Sequence, residues 1–330
     1  MKIQEFRNKI EKADRNDLEK IAAELYKQIP KAKKEYETDD LIEDILSHKE
    51  SSVRKAVVSK IDFPALKSEI ELFLEHVDQN LYFEPNRIVP KSKRSKWRFE
   101  VKAFVKQLDQ IPSDDSNAKE AAELYLELYK RLCKGCGYYI FPTEDPFRAV
   151  GIAQTVFYEK LVRRTYATGY TDDSLDKMLR AATLVNLDRD TLHIELEILF
   201  TSLLPTPDLK HKAISIAQGY VEKFETALAK ERPGWSNTRY KLESNIEEMC
   251  ETILCLGISL CEGSDAVKYY WAHNNREKDK EVTLYKILDT IRITDGRGSL
   301  WQNTYETAVS NRKITPRDSL REQYEKLLNG

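Results

Sequence analysis

Glycine and proline are scarce in this chain of 330 residues, at 11 of each. Few of its turns can therefore depend on the backbone angles that these residues supply most readily. Long stretches rich in Ala, Leu, Glu and Lys lie between them, and these residues favour helix. The composition predicts an all-α chain.

The sequence also lacks a long hydrophobic run. Its longest strongly apolar stretch, residues 252–261, is too short to span a bilayer. Charged side chains interrupt the first residues, so we expect no signal peptide. The net charge of -2 excludes a general attraction to nucleic acid or to an anionic membrane, so any such binding must be local. These features predict a cytoplasmic protein with no membrane partner.

Cysteine is represented by five residues with no disulfide framework, which predicts free thiols in a reducing compartment. Cys133 and Cys136 form a Cys-x-x-Cys pair, but a structural zinc usually needs four ligands and no second pair follows. A redox thiol usually lies at a helix N-terminus, whereas this pair comes at the end of a predicted helix. We favour a purely structural role, with a metal or redox site at these thiols as less favoured hypotheses. No cofactor is predicted.

The clearest architectural pattern lies between residues 172 and 204, where two amphipathic helices follow each other with about four residues between them. The first helix is predicted to bury Leu175, Met178, Leu179, Ala182 and Val185. The second is predicted to bury Leu192, Leu196, Leu199, Phe200 and Leu203. Thr171 is a candidate N-cap of the first helix, and Asp188 and Asp190 are candidates for the second. Because each helix must bury its apolar stripe, we expect the two to pack antiparallel.

Similar patterns recur along the chain, and a pair of helices takes about 40 to 50 residues, the range of HEAT and armadillo repeats. No fixed-period self-similarity accompanies this spacing. The sequence therefore predicts an irregular α-solenoid, a HEAT/armadillo-like antiparallel helix stack, over residues 116–330. A polar loop at 109–117 is expected to separate this stack from an N-terminal helical unit, residues 1–110, which has short helical patterns at residues 17–26 and 41–46.

Residues 91–106, here called the basic segment, are the most distinctive stretch chemically. They contain seven basic residues and one acid, Glu100, which gives a local charge of about +6. The basic residues are Lys91, Lys93, Arg94, Lys96, Arg98, Lys102 and Lys106. A helix starting near Ser95 would bury Trp97, Val101, Phe104, Val105 and Leu108. The same helix would align along one ridge Arg94, Arg98, Lys102 and Lys106.

Three interpretations of the basic segment are open. Its cations, with Trp97 beside them, could hold the phosphates of a nucleic acid. They could equally bind an acidic protein surface. The third interpretation is an ordinary solvated helix face whose charges pair with carboxylates of a neighbouring helix, which is the usual role of a charge run.

Two stretches near the start of the chain carry a family resemblance. They comprise Asp17, Leu18, Ile21, Leu25 and Tyr26, and then Phe83 followed by Pro-Lys-Ser-Lys-Arg at 90–94. Together they resemble the start of a bacterial family of unknown function, whose members open with a short Leu-Tyr helix and carry a basic segment after an aromatic one. The resemblance extends over the N-terminal unit and implies a helical fold without any particular chemistry. The middle of the chain is similar to HEAT-type helical stacks.

No group of residues indicates a nucleophile with its base, so the sequence predicts a non-catalytic protein. His193 and Glu197, at positions i and i+4, are expected to be an ordinary solvated pair. The predicted function is an intracellular protein–protein interaction scaffold whose partner is a protein or peptide. The alternative is a nucleic-acid-binding module that uses the basic segment.

Overall fold

The structure, a computed structural model, is built from α-helices, and no strand occurs in the residues that it describes. Those residues are 10–11, 13–28, 61–274, 276, 279–296, 298–312 and 314–329. The helices of the N-terminal half are α1 (Arg15–Gln28), α2 (Phe63–Asp78), α3 (Lys91–Arg94), α4 (Trp97–Leu108), α5 (Ala118–Gly137), α6 (Pro146–Val150) and α7 (Gln154–Ala167). They are followed by α8 (Asp172–Thr183), α9 (His193–Ser202), α10 (Pro207–Leu228), α11 (Asn237–Ser259), α12 (Gly263–His273), α13 (Lys280–Thr294), α14 (Ser299–Ser310) and α15 (Asp318–Asn329). The predicted all-α fold is confirmed for these residues.

The chain divides into two compact units, residues 1–61 and 62–330. In the first unit, the pattern predicted at residues 17–26 forms α1, while the pattern at 41–46 lies outside the described residues. The predicted boundary loop, 109–117, lies within the second unit, where α2 and α4 before it contact α5 after it. The proposed division at that loop stays a prediction, and it can be tested with fragments of the chain.

The first of the two adjacent helical patterns forms α8. Thr171 is its N-cap, as predicted: Thr171 Oγ1 accepts a hydrogen bond from the Ser174 N–H at 3.0 Å, and Ser174 Oγ accepts one from the Thr171 N–H at 2.8 Å. Each side chain therefore satisfies a backbone donor that the first turn leaves unpaired. Four of the predicted apolar residues are buried on one face, namely Leu175, Met178, Leu179 and Ala182.

The prediction that Asp188 or Asp190 caps the second helix is wrong. The connection between the helices, residues 184–192, is longer than predicted, and α9 begins after it. The Glu195 carboxylate accepts a hydrogen bond from the Leu192 N–H at 3.0 Å, so an acid of the first turn does the capping. Asp188 Oδ1 instead accepts from the Asp190 N–H at 3.0 Å, before the helix begins. Leu192, predicted to be buried, is exposed.

Helix α11 lies at the centre of the second unit, because it contacts α8, α9, α10, α12 and α13. The approach of α12 is close at Gly257, where an added Cβ would lie 2.6 Å from the Cβ of Ala266. Most of the buried residues of α11 are apolar, but they include Glu247. Among the described helices, none is both long and apolar enough to cross a membrane.

Candidate functional site

The basic segment forms two helices, α3 and α4, rather than one. The buried residues of α4 are those predicted: Trp97, Val101, Phe104, Val105 and Leu108. Trp97 is only 2% exposed, and its ring stacks on that of Phe141 with 4.1 Å between the ring centroids. Trp97 is therefore an anchor for α4 in the core and is not available to a partner.

The ridge of four cations is only partly formed. Arg94 ends α3, and its Nη1 donates a hydrogen bond to the Glu84 carbonyl oxygen at 2.8 Å. Arg98, Lys102 and Lys106 belong to α4, where a four-residue spacing places them about 6 Å apart along the helix axis. The ridge is thus continuous over three cations.

The basic segment faces the solvent, and no carboxylate of the described residues neutralises it. Six of its cations are exposed, namely Lys91, Lys93, Lys96, Arg98, Lys102 and Lys106. Within the described parts of the chain, no carboxylate lies within 4.0 Å of any of its seven basic groups. The one acid of the segment, Glu100, accepts a hydrogen bond from Tyr82 Oη at 3.0 Å. The ion pairs expected of an ordinary solvated face are therefore missing among the described residues.

A second basic surface in the same unit behaves differently. A cavity of about 880 Å³ is lined by lysines and an arginine of α5, α8 and α11. Lys130 Nζ lies 2.8 Å from Glu127 Oε1, and Lys177 Nζ lies 2.6 Å from Glu123 Oε1. Carboxylates therefore offset much of the positive charge around this cavity, in contrast to the basic segment.

Two exposed apolar side chains accompany the basic segment. Phe99, on α4, is 59% exposed, and the guanidinium carbon of Arg98 lies 4.8 Å from its ring centroid. Ile88, in the loop that leads into α3, is 63% exposed. The surface thus combines cations with aromatic and aliphatic groups.

The Cys-x-x-Cys pair lies in the last turn of α5. Cys133 is buried and Cys136 is half-buried, and both are free thiols. Gln154 Nε2 donates to Cys133 Sγ at 3.4 Å. Burial raises the pKa of Cys133 well above its usual range and that of Cys136 to about 12. Burial therefore favours the protonated form of both thiols, whereas the thiolate is the form that binds a metal or attacks a disulfide.

A cluster of carboxylates, here called the acidic cluster, forms where α9 meets α11. Glu197 extends from α9, and Glu248 and Glu251 extend from α11, with one oxygen of each lying within 4.8 Å of the others. Glu197 has no exposed surface. The expectation of a solvated pair of His193 and Glu197 is therefore wrong, because the side of α9 that carries Glu197 is covered by α11.

Few hydrogen-bond donors serve the acidic cluster. In the part of the chain that the structure describes, neither oxygen of Glu197 has a hydrogen-bond partner, and neither has Glu248 Oε2. Thr252 Oγ1 donates to the Glu248 backbone carbonyl oxygen at 3.0 Å. Glu251 Oε1 accepts a side-chain hydrogen bond from Thr290 Oγ1 at 2.7 Å.

The nearby cations are bound to another acid. Arg276 and Lys286 both form ion pairs with Glu247, and both lie close enough to act on the charge of Glu248. Burial, with repulsion from the two neighbouring carboxylates, raises the pKa of Glu197 well above its usual range. Burial likewise raises the pKa of Glu248 to about 8. These surroundings favour the protonated form of both carboxyls.

His193 lies at the edge of the acidic cluster. Its Nδ1 has no hydrogen-bond partner among the described residues and lies 3.7 Å from Glu248 Oε2, which is too far for a hydrogen bond. Burial lowers the pKa of the imidazole, which favours the neutral form that can act as a ligand. A cavity of about 350 Å³, lined by His193, Glu248 and Glu251, connects the cluster to the surface.

Comparison with protein-family models, with curated proteins and with solved structures found no match. The resemblance of the N-terminal part to a bacterial family therefore stays a prediction. The functional interpretation of the basic segment and the acidic cluster depends on their geometry alone.

Proposed function

We propose that this protein is a non-catalytic cytoplasmic interaction scaffold that binds an acidic protein surface through the basic segment. The observation that carries the proposal is the set of exposed cations on α3 and α4 with no carboxylate within 4.0 Å among the described residues. Exposed cations with no carboxylate beside them in the described parts of the chain are available to steer and bind an anionic partner.

An acidic protein is favoured over a nucleic acid because of the apolar groups beside the cations. Arg98 and Phe99 are of the residue types enriched at protein interfaces. Ile88 is largely exposed and would be buried by a protein partner, whereas a phosphate backbone offers it no apolar contact. Nucleic-acid binding is the second candidate, since Phe99 could also stack on an unpaired base.

The scaffold would be an irregular helix stack of the HEAT or armadillo kind. Among the described helices of residues 62–330, the main contacts join helices that are at most three places apart in chain order. Contacts restricted to near neighbours are typical of arrays in which each helical pair packs on the next. Such an array holds α3 and α4 on a rigid support while leaving their basic face open to a partner.

Charge reversal on α4 tests the proposed function. The variant Arg98→Glu with Lys102→Glu changes two exposed side chains that have no ion pair among the described residues, so we expect it to fold and melt like the wild type. We expect its affinity for an acidic partner to fall at least tenfold, because two attractive contacts become repulsive. The control is Lys230→Glu with Lys326→Glu, which makes the same charge change at exposed lysines of α10's C-terminal end and α15.

The measurement compares proteins captured on the three baits and then titrates each recovered acidic protein against them in purified form. Loss of acidic-protein binding in the α4 variant alone supports the proposal. Equal binding to all three baits contradicts it. Parallel titrations use mixed-sequence RNA and DNA at two salt concentrations. Nucleic-acid binding is indicated if the affinity falls steeply with salt and depends on the same two residues.

A further inference from the structure

We propose that the acidic cluster is a binding site for a single divalent cation of the Mn²⁺, Fe²⁺ or Zn²⁺ type. The ligands are Glu197 from α9 and Glu248 and Glu251 from α11, and His193 lies beside them, with its Nδ1 3.7 Å from Glu248 Oε2. The site is separate from the basic segment and does not depend on the function proposed for it.

The distances fit a cation with small side-chain adjustments. Since the three carboxylate oxygens all lie within 4.8 Å of one another, some point lies within about 2.8 Å of all three. Metal–oxygen distances for divalent cations are about 2.0 to 2.6 Å. Movements of less than 1 Å, well within the reach of a glutamate side chain, would therefore bring the ligands into place.

A second observation points to a ligand, independently of the grouping of acids. Glu197 is fully buried, and both of its oxygens lack a hydrogen-bond partner among the described residues. Buried polar atoms are almost always satisfied, so two such atoms on one carboxylate call for a specific explanation. These oxygens face the other two carboxylates, where a cation would satisfy them.

The surroundings of the acidic cluster supply what a metal site needs. Thr290 Oγ1, on α13, orients Glu251 by donating to its Oε1 at 2.7 Å. Arg276 and Lys286 form ion pairs with Glu247 and line the same cavity as Glu248 and Glu251. The cavity that His193, Glu248 and Glu251 line gives an entry path. Support of the ligands by neighbouring hydrogen bonds is a regular feature of metal centres.

The ligand types indicate the class of cation. Three carboxylates suit hard cations such as Mg²⁺, Ca²⁺ and Mn²⁺, whereas an imidazole favours Mn²⁺, Fe²⁺ and Zn²⁺ over the first two. Three carboxylates with a nearby imidazole are therefore best suited to Mn²⁺, Fe²⁺ or Zn²⁺.

The test uses the full chain after treatment with EDTA and its removal. Calorimetric titration with MnCl₂ is expected to give one site per chain, and thermal unfolding is expected to shift to higher temperature with Mn²⁺. ZnCl₂ is expected to do the same, and MgCl₂ to act more weakly. A wild-type chain that shows no binding and no thermal shift with Mn²⁺ or Zn²⁺ overturns the proposal and leaves three carboxyls that simply retain protons.

The variant Glu197→Gln separates binding from folding. It keeps the shape of the side chain and removes a buried acid, so the metal-free variant is expected to melt at the temperature of the metal-free wild type or above it. It is expected to bind Mn²⁺ at least tenfold more weakly. If this variant does not fold, Glu248→Gln, at a partly exposed position, takes its place.

The matched control is Glu243→Gln. Glu243 lies on the same helix, α11, and pairs with Arg239 Nε at 2.9 Å, away from the acidic cluster. The Glu243→Gln variant is expected to bind Mn²⁺ like the wild type. Equal weakening in Glu243→Gln, or undiminished binding in Glu197→Gln, contradicts the assignment of the site to the acidic cluster.

Discussion

At the scale of single residues, the two thiols at the end of α5 show how burial decides chemistry. A Cys-x-x-Cys pair acts in redox reactions through a thiolate, and a metal also binds the thiolate. Here burial raises the pKa of both thiols, with that of Cys136 reaching about 12. The position of the pair in the last turn of α5 adds the negative end of the helix dipole, which disfavours a thiolate further.

Alkylation rates test this description. At pH 8, a thiol with a pKa of about 12 has a thiolate fraction on the order of 10⁻⁴, against roughly a quarter for an ordinary thiol with a pKa near 8.5. We expect iodoacetamide to modify Cys136 at least a hundredfold more slowly than the exposed Cys261. Because the thiolate fraction rises tenfold per pH unit below the pKa, the Cys136 rate should rise about tenfold from pH 8 to pH 9.

The chain unfolded in urea is the control, in which all five thiols should react at similar rates. Rapid modification of Cys136 in the folded protein at pH 7 would show a thiolate with a low pKa. That result would revive the redox hypothesis for the pair.

Neighbouring residues also show what a sequence can and cannot predict. The contrast between Trp97 in the core and Arg98 on the surface follows from the helical period, so it could be predicted from one stretch of sequence. The burial of Glu197 could not, because it depends on contact between α9 and α11. A signal was present in the three glutamates at 247, 248 and 251, which lie in the more apolar later part of α11, but the sequence does not say which helix faces them.

At the scale of helices, two glycines within helices have opposite roles. Gly257, on α11, lies where α12 approaches, and an added Cβ would be 2.6 Å from the Cβ of Ala266. Gly219, on α10, is exposed and has no heavy atom within 4 Å of the corresponding position, once its chain neighbours and its helix's nearby backbone are set aside. The same substitution by alanine should therefore change stability in opposite directions.

We expect Gly219→Ala to raise the free energy of unfolding by about 0.5–1 kcal/mol, because alanine restricts the unfolded chain and favours helix. We expect Gly257→Ala to lower it by about 1–3 kcal/mol, because two packed helices must separate. Urea unfolding followed by circular dichroism measures both values. A neutral or stabilising Gly257→Ala would show that α11 and α12 do not approach as closely as described.

Helix ends were harder to predict than helix faces. The Thr171 cap was found because a side-chain oxygen precedes the first turn of an amphipathic pattern. The α9 cap was missed because Glu195 bonds back to Leu192 from inside the helix, while two aspartates nearer the expected start have other roles. The short helix α3 was not predicted, whereas the expected helix start near Ser95 lies close to the first residue of α4.

At the scale of the whole molecule, two divisions of the chain can be compared. The boundary between the two compact units lies between residues 61 and 62 of the chain, whereas the sequence predicts a boundary at 109–117. Trp97 and Phe141, on either side of that loop, stack in the core. We therefore expect a fragment of residues 62–330 to fold, and a fragment of residues 116–330 to be much less stable.

The two fragments should differ strongly in stability. Removing the partner of Phe141 and the helices that cover α5 resembles a large-to-small change in the core, which costs about 3–5 kcal/mol. At about 2–4 °C per kcal/mol for a unit of this size, the shorter fragment should melt about 6 to 20 °C below the longer one. Thermal unfolding measures this directly. Equal melting temperatures would favour the boundary at 109–117.

The central claim is that the exposed cations of α3 and α4 are the surface that a partner covers. Lysine footprinting of the purified complex with acetic anhydride tests it most directly, because Lys91, Lys93, Lys96, Lys102 and Lys106 are all exposed in the free chain. We expect these five lysines to be protected from acetylation in the complex, while Lys230 and Lys326 react as in the free chain. Equal labelling of the five lysines with and without the partner would contradict it.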